Sequence, residues 1–256
     1  MRLLRALACA AALAFLASPA ARAETAPLVA AASDLKFALE EIAAKFRAET
    51  GRDLRPVFGS SGNFARQIEQ GAPFQLFLSA DETYVRRLAE KRLTVDDGAL
   101  YAAGRIVLFA PHGSPVKPTE GLTGLRAALR NGVRIAIANP EHAPYGRAAM
   151  QALRHAGLWD EVRPRLVMGE NVSQAVQFAV NAGAGIFAYA LALAPEVSRE
   201  GSFALIPAEW HEPLRQRMVL IRGAGETARD FYAFLQTGPA REIFVRYGFA
   251  LPGERD

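Results

Sequence analysis

After residue 23 the chain has no cysteine; the single one it contains is Cys9. A disulfide-stapled scaffold and a thiol nucleophile are both excluded beyond that point. The apolar core must hold the fold alone, and residues 24–256 are long enough for that. Long hydrophobic runs are missing as well: Ala6 to Ala17 is apolar but too short to span a bilayer. With Arg2 and Arg5 ahead of it and Ala21-Arg22-Ala23 behind it, this stretch predicts a signal peptide over 1–23, cleaved before Glu24. Cys9 precedes most of the apolar stretch, so it does not read as a lipoprotein anchor. Excess charge is also absent. The leader carries three arginines and no acid, which leaves 27 Lys+Arg against 26 Asp+Glu. Nothing in that balance supports a nucleic-acid or anionic-membrane partner. The histidines, His112, His142, His155 and His211, lack metal-ligand spacing. Gly183-Ala184-Gly185 lacks the third glycine of a dinucleotide fingerprint. There is no internal repeat or Gly/Ser-rich linker.

What the sequence does have is alternation. Leu28–Ala32 reads as a buried strand, followed by Leu35, Leu39, Ile42 and Phe46 at helical spacing, with Ser33 as the cap and Gly51 as the stop. Further strands are expected at 74–78, 106–110, 133–138, 185–190, 205–207 and 217–221, and 166–171 leads into a helix at Val172. Helices are expected between and after them, ending with 227–235 and 239–247. Strand–helix alternation of this kind predicts an α/β fold with parallel sheets covered by helices. One long sheet and two lobes fit the pattern equally well.

Four polar turns precede helices: Ser33-Asp34, Ser60-Ser61-Gly62, Pro144-Tyr145-Gly146 and Asn171-Val172-Ser173. Each offers free backbone N–H groups at the positive end of a helix dipole, three of them with serine hydroxyls added. In α/β sheets such turns gather beyond the carboxyl ends of the strands, where ligands collect. If they share one cleft, an anion receives about six or seven hydrogen bonds at roughly 1.5–3 kcal/mol each. No lysine or arginine is required.

In order and spacing the chain resembles the periplasmic molybdate-binding proteins, the solute receptors of ABC-type uptake systems. The residues that carry the resemblance are Ala-Ala-Ser-Asp-Leu (31–35), Gly-Ser-Ser-Gly (59–62), Ala-Arg-Gln-Ile (65–68), Gly-Ala-Pro (71–73) and Leu-Ser-Ala-Asp (78–81). Asn-Pro-Glu-His-Ala-Pro-Tyr-Gly (139–146), Glu-Asn-Val (170–172) and Ile-Phe-Val-Arg-Tyr-Gly-Phe (243–249) continue it. The resemblance implies a type II periplasmic-binding-protein fold, each lobe a mostly parallel sheet flanked by helices with the ligand in the cleft. It places lobe 1 at 24–104 plus 218–256 and lobe 2 at 105–217, with crossovers near Arg105–Pro111 and Arg217–Arg222. It implies a monomer that binds molybdate or tungstate, uses no cofactor and catalyses no reaction. Its partner is a membrane permease. Ser33 and Ser61 are expected to donate hydroxyl and N–H, and Tyr145 and Val172 to donate N–H. Many family members add a tyrosine hydroxyl from the strand after the Val172 helix. Here ungapped counting from Gly185 puts Ala188 at that position, so Tyr189 reaches the cleft only if a bulge intervenes.

Asp34 bears on the choice of anion. Molybdate, tungstate and sulfate carry no proton near neutral pH, whereas monohydrogen phosphate needs an acceptor. Asp34 is expected to point outward, leaving a site of donors alone. A sulfate or phosphate receptor of the same fold is the alternative within this class. A secreted serine hydrolase built from Ser61, Asp81 and His142 is the alternative outside it. Against the hydrolase, Gly59-Ser60-Ser61-Gly62-Asn63 departs from Gly-x-Ser-x-Gly at its last position. His142 is expected to brace its loop by bonding a carbonyl, and Asp81 to hold a neighbouring loop.

Overall fold

The computed structural model describes residues 25–253; the expected signal peptide lies outside the described residues. Ten strands run in chain order: β1 (Leu28–Ala32), β2 (Arg55–Gly59), β3 (Phe74–Ser79), β4 (Ala99–Gly104) and β5 (Ile106–Pro111), then β6 (Arg134–Ala138), β7 (Leu166–Gly169), β8 (Gly183–Ala188), β9 (Gly201–Leu205) and β10 (Leu214–Leu220). They form two five-stranded sheets, ordered β2-β1-β3-β10-β4 and β7-β6-β8-β5-β9. Each sheet has three parallel strands on one side, while β10 and β5 run antiparallel to both of their neighbours.

Those antiparallel strands lie where the chain changes sheets. It leaves the first sheet at Arg105, between β4 and β5, and returns between β9 and β10. The return precedes Leu214, so Arg217 lies inside a first-sheet strand and the expected boundary at 217/218 falls too late. β4 is not among the expected strands. Its Ala-Leu-Tyr-Ala-Ala-Gly composition has low β-propensity, and its pairing with β10 supplies what local preference does not.

Helices cover both sheets. Helix Lys36–Thr50 buries the periodic positions Leu39, Ile42 and Phe46 together with Ala38, and ends at Gly51 with φ 71°. Phe46 packs edge-on against Phe231 at 5.1 Å and Phe234 at 5.5 Å, tying this helix to Glu226–Phe234. The second sheet has its own core, centred on Phe109, Ile135, Ile137, Ile186 and Phe187. Fully burying a side chain of that size contributes roughly 1.5–3 kcal/mol, so each sheet is stabilised by its own packing.

Candidate functional site

The carboxyl ends of β1 and β2 from the first sheet face the start of helices Pro144–His155 and Val172–Ala182 from the second. Between them is a small, tightly closed cavity of about 10 Å³ lined by Ser33, Asp34, Ser61, Tyr145 and Val172, with Ser60, Gly59 and four apolar residues completing the wall. Four of the five residues singled out from sequence therefore come together, and no lysine or arginine lines the space.

Each arrives by a different local route. Ser61 opens helix Ser61–Glu69, and its hydroxyl accepts the Ala80 N–H at 3.0 Å, leaving its own proton to donate. Tyr145 follows Pro144 in the first turn of its helix, where proline's lack of an N–H costs nothing. Val172 follows Asn171, whose side chain caps the helix by accepting the Gln174 N–H at 3.1 Å. The first-turn N–H groups of Ser61, Tyr145 and Val172 have no partner within their own helices.

Ser33 departs from its expected role as a helix cap. It starts a short 3-10 turn, Ser33–Leu35, and Leu35 occupies the cap position. Its hydroxyl instead crosses between the sheets, donating to Asn171 Oδ1 at 3.2 Å and accepting the Ser173 N–H at 3.3 Å. The Ser173 hydroxyl returns to the Ser33 carbonyl at 2.9 Å. Ser60 likewise makes no cap bond; its hydroxyl pairs with His142 Nδ1 at 3.0 Å. The His142 carbonyl accepts the Gly62 N–H at 2.9 Å, and Asn63 bonds Glu170 across the same gap. The two halves thus meet closed, with His142 bracing the cleft through a serine hydroxyl rather than through a loop carbonyl. The hydrolase triad is not assembled: His142 pairs with Ser60, while Asp81 caps its own helix and pairs with Arg147.

Tyr189 is elsewhere. β8 pairs with β5 without a register shift from Gly185↔Phe109 to Ala188↔Ile106, so no bulge moves Tyr189 into the cleft. The strand ends at Ala188, and Tyr189 begins the short helix Tyr189–Ala192 with its N–H on the Arg105 carbonyl at 2.9 Å. Its ring packs edge-on to Phe203, 6.0 Å away, and it does not line the cavity.

Asp34 reverses its expected orientation. It is 1% exposed, and Oδ2 accepts from Gln216 Nε2 at 2.7 Å and from the Tyr145 hydroxyl at 3.0 Å. Gln216 in turn accepts from the Tyr101 hydroxyl at 2.6 Å. Burial raises the Asp34 pKa from 3.8 to about 6, against the opposing pull of Gln216 and Tyr145. Burial, reinforced by Asp34, pushes Tyr145 and Tyr101 well above their usual range, so both stay protonated. The sequence held a signal for this network. Leu214, Gln216, Met218 and Leu220 alternate on the buried face of β10, so Gln216 is a polar group in an apolar register and requires a partner.

Two α/β sheets, each presenting helix N-termini to a shared cavity, define a two-lobed solute-binding protein. The bacterial extracellular solute-binding protein family matches residues 27–250. The molybdate-binding protein ModA of Rhodobacter capsulatus is 36% identical over 239 residues, covering 91% of each chain. That of Escherichia coli is 34% identical over 229 residues, covering 87% of this chain and 88% of its own. The solved periplasmic molybdate-binding protein of Azotobacter vinelandii superposes with a TM-score of 0.79 at 32% identity, covering 88% of this chain and 99% of that one. The chain belongs to the bacterial extracellular solute-binding proteins and, within them, to the ModA family of molybdate-binding proteins.

Proposed function

We propose that this chain, exported by residues 1–23 and working as a monomer in the periplasm, captures molybdate or tungstate and delivers it to the permease of an ABC transporter. It does so as a receptor, without chemistry on its ligand. The observation that carries the reading is that Ser33, Ser61, Tyr145 and Val172 line one small cavity with no cationic side chain. Such a wall offers hydroxyl and main-chain donors to a small oxyanion without requiring a cation. Ser61 donates hydroxyl and N–H, Tyr145 and Val172 donate N–H, and Ser33 exchanges its bond to Asn171 for one to the ligand. The residues before Arg105 and after the return near Leu214 form one lobe, and those between form the other. The names of the relatives support the choice of molybdate among tetrahedral anions.

Thermal melting in the presence of molybdate, tungstate, sulfate and phosphate tests this directly. Ligand at 100 times its dissociation constant adds roughly 2.7 kcal/mol of stability. Molybdate and tungstate are expected to raise the melting temperature at micromolar concentration, with sulfate and phosphate inert there. An equal shift from sulfate would overturn the selectivity, and no shift from molybdate would overturn the ligand.

A further inference from the structure

The cavity wall is not made of donors alone. Asp34 lines it, is 1% exposed, and has one carboxyl oxygen fully engaged and one without a partner. Oδ2 holds the Tyr145 hydroxyl and the Gln216 amide, while Oδ1 makes no hydrogen bond. A buried carboxylate beside an incoming dianion is strongly unfavourable, because like charges repel hardest where water is excluded. No cation relieves it: the groups acting on Asp34 are its buried surroundings and neutral donors. A proton placed on Oδ1 removes the charge and leaves both bonds to Oδ2 intact.

We propose that capture is proton-coupled: as the fully deprotonated oxyanion enters, Asp34 takes one proton from solvent onto Oδ1 and meets the ligand as a neutral carboxylic acid. The inference rests on the ligand class proposed above. No bond to the anion is broken or formed by the transfer; the proton moves from solvent buffer to Asp34, and the bound complex carries one positive charge more than simple addition gives. Free Asp34 titrates at about 6, so near pH 7.5 it is mainly ionised before binding and has a proton to gain.

The surroundings leave few rival proton acceptors. Helix Val172–Ala182 contains no ionisable side chain, and Glu170 before it is exposed. Lys36 on the helix after the turn and Arg55 on β2 are exposed, and Tyr189 on the short helix points to Phe203. From the facing helix, Tyr145 stays neutral and Arg147 is paired with Asp81; from β10 and β4, Gln216 is uncharged and Tyr101 stays neutral. His142 is the remaining side chain of a type that titrates near neutrality, and it is bonded to Ser60 on the cavity wall.

Isothermal titration of the full mature chain with sodium molybdate, at pH 7.5 in buffers of low and high ionisation enthalpy, counts the protons taken up. Half a proton or more per molybdate is the expected result, with Kd rising about tenfold from pH 7 to pH 8. Asp34→Asn is expected to abolish the uptake and flatten the pH dependence, whereas His142→Gln retains both. Binding with less than half a proton taken up overturns the inference and leaves the ligand assignment standing. So does uptake that survives in Asp34→Asn or vanishes in His142→Gln. Absence of any molybdate heat overturns the ligand assignment and this inference together.

Discussion

The two walls of the cavity are built from different material. The first sheet contributes side chains: the hydroxyls of Ser33, Ser60 and Ser61 and the carboxyl of Asp34. The second contributes the first turns that begin at Pro144 and Val172, whose N–H groups have no partner within their own helices. A side-chain wall is tuned by substitution, residue by residue. A main-chain wall is set by where the helices sit, and exchanging its side chains leaves the donors in place. The difference separates substitutions that alter recognition from those that alter closure.

The sharpest way to break the pairing of the two walls is to wedge them apart. Gly62 meets His142 so closely that a Cβ on it would lie 2.7 Å from the His142 carbonyl oxygen and 2.7 Å from the Tyr84 hydroxyl. Neither partner is free to retreat: the carbonyl is backbone, and the tyrosine hydroxyl holds Arg147 at 3.0 Å. Gly62→Val is expected to cost about 3 kcal/mol or more of binding, since overpacking of this size has no compliant neighbour. The cores of the two sheets remain as they are. Calorimetry that finds molybdate affinity within threefold of the unaltered chain would show that the walls need not meet here.

A second test acts on the first wall alone, in the absence of ligand. Asp34 has a raised pKa in the folded chain, about 6 against 3.8 when unfolded, so the folded state binds the proton more tightly. Stability is therefore greatest below about pH 4 on this account, falls as the pH rises toward 6, and stays lower above it. The full difference is about 3 kcal/mol. Asp34→Asn removes the charge while its amide oxygen keeps Tyr145 and Gln216; the NH2, without a partner where Oδ1 stood, offsets part of the gain. Denaturant midpoints at pH 7 are expected to rise in the variant and to converge with the parent near pH 4. Unchanged or lower stability at pH 7 would mean the carboxylate is better accommodated than its burial indicates.

These two positions also show how far the sequence can be read. The strand–helix order and the four polar turns were legible because hydrophobic period and polar helix starts are local, and Asn171 caps the helix that its turn precedes. Convergence of the turns was legible because α/β topology sends strand ends to one side. The cap role expected of Ser33 and the outward orientation expected of Asp34 fail for one shared reason: their partners, Asn171, Ser173, Tyr145 and Gln216, are all more than 100 positions away. A polar pair at a helix start looks identical whether its second member faces water or a buried glutamine. Gln216 in the apolar register of β10 was the one indication that such a partner existed.

Within the first wall, Ser61→Ala sharpens the contrast further. The substitution removes a ligand donor and also leaves the buried Ala80 N–H without its acceptor. A loss of roughly 1.5–3 kcal/mol in molybdate binding is expected, accompanied by a smaller loss of stability in the free chain. Titration of the variant that shows less than a threefold change in Kd would remove Ser61 from the site.

The smallest effects should come from the second wall and from the residue that lies outside it. Val172→Ala keeps the backbone N–H, and Asn171 still fixes the helix start, so binding should change by less than about 0.5 kcal/mol. Some stability is lost, because Val172 is 4% exposed and its methyl groups pack in the core of the second sheet. Tyr189→Phe should be silent in binding altogether, since its ring packs on Phe203 and the residue does not line the cavity. The two variants answer separate questions. A large loss in Val172→Ala would mean that a side chain, not the main chain, forms the second wall. A loss in Tyr189→Phe would mean that β8 can slip by one residue when ligand binds, which the unbroken β5–β8 register argues against.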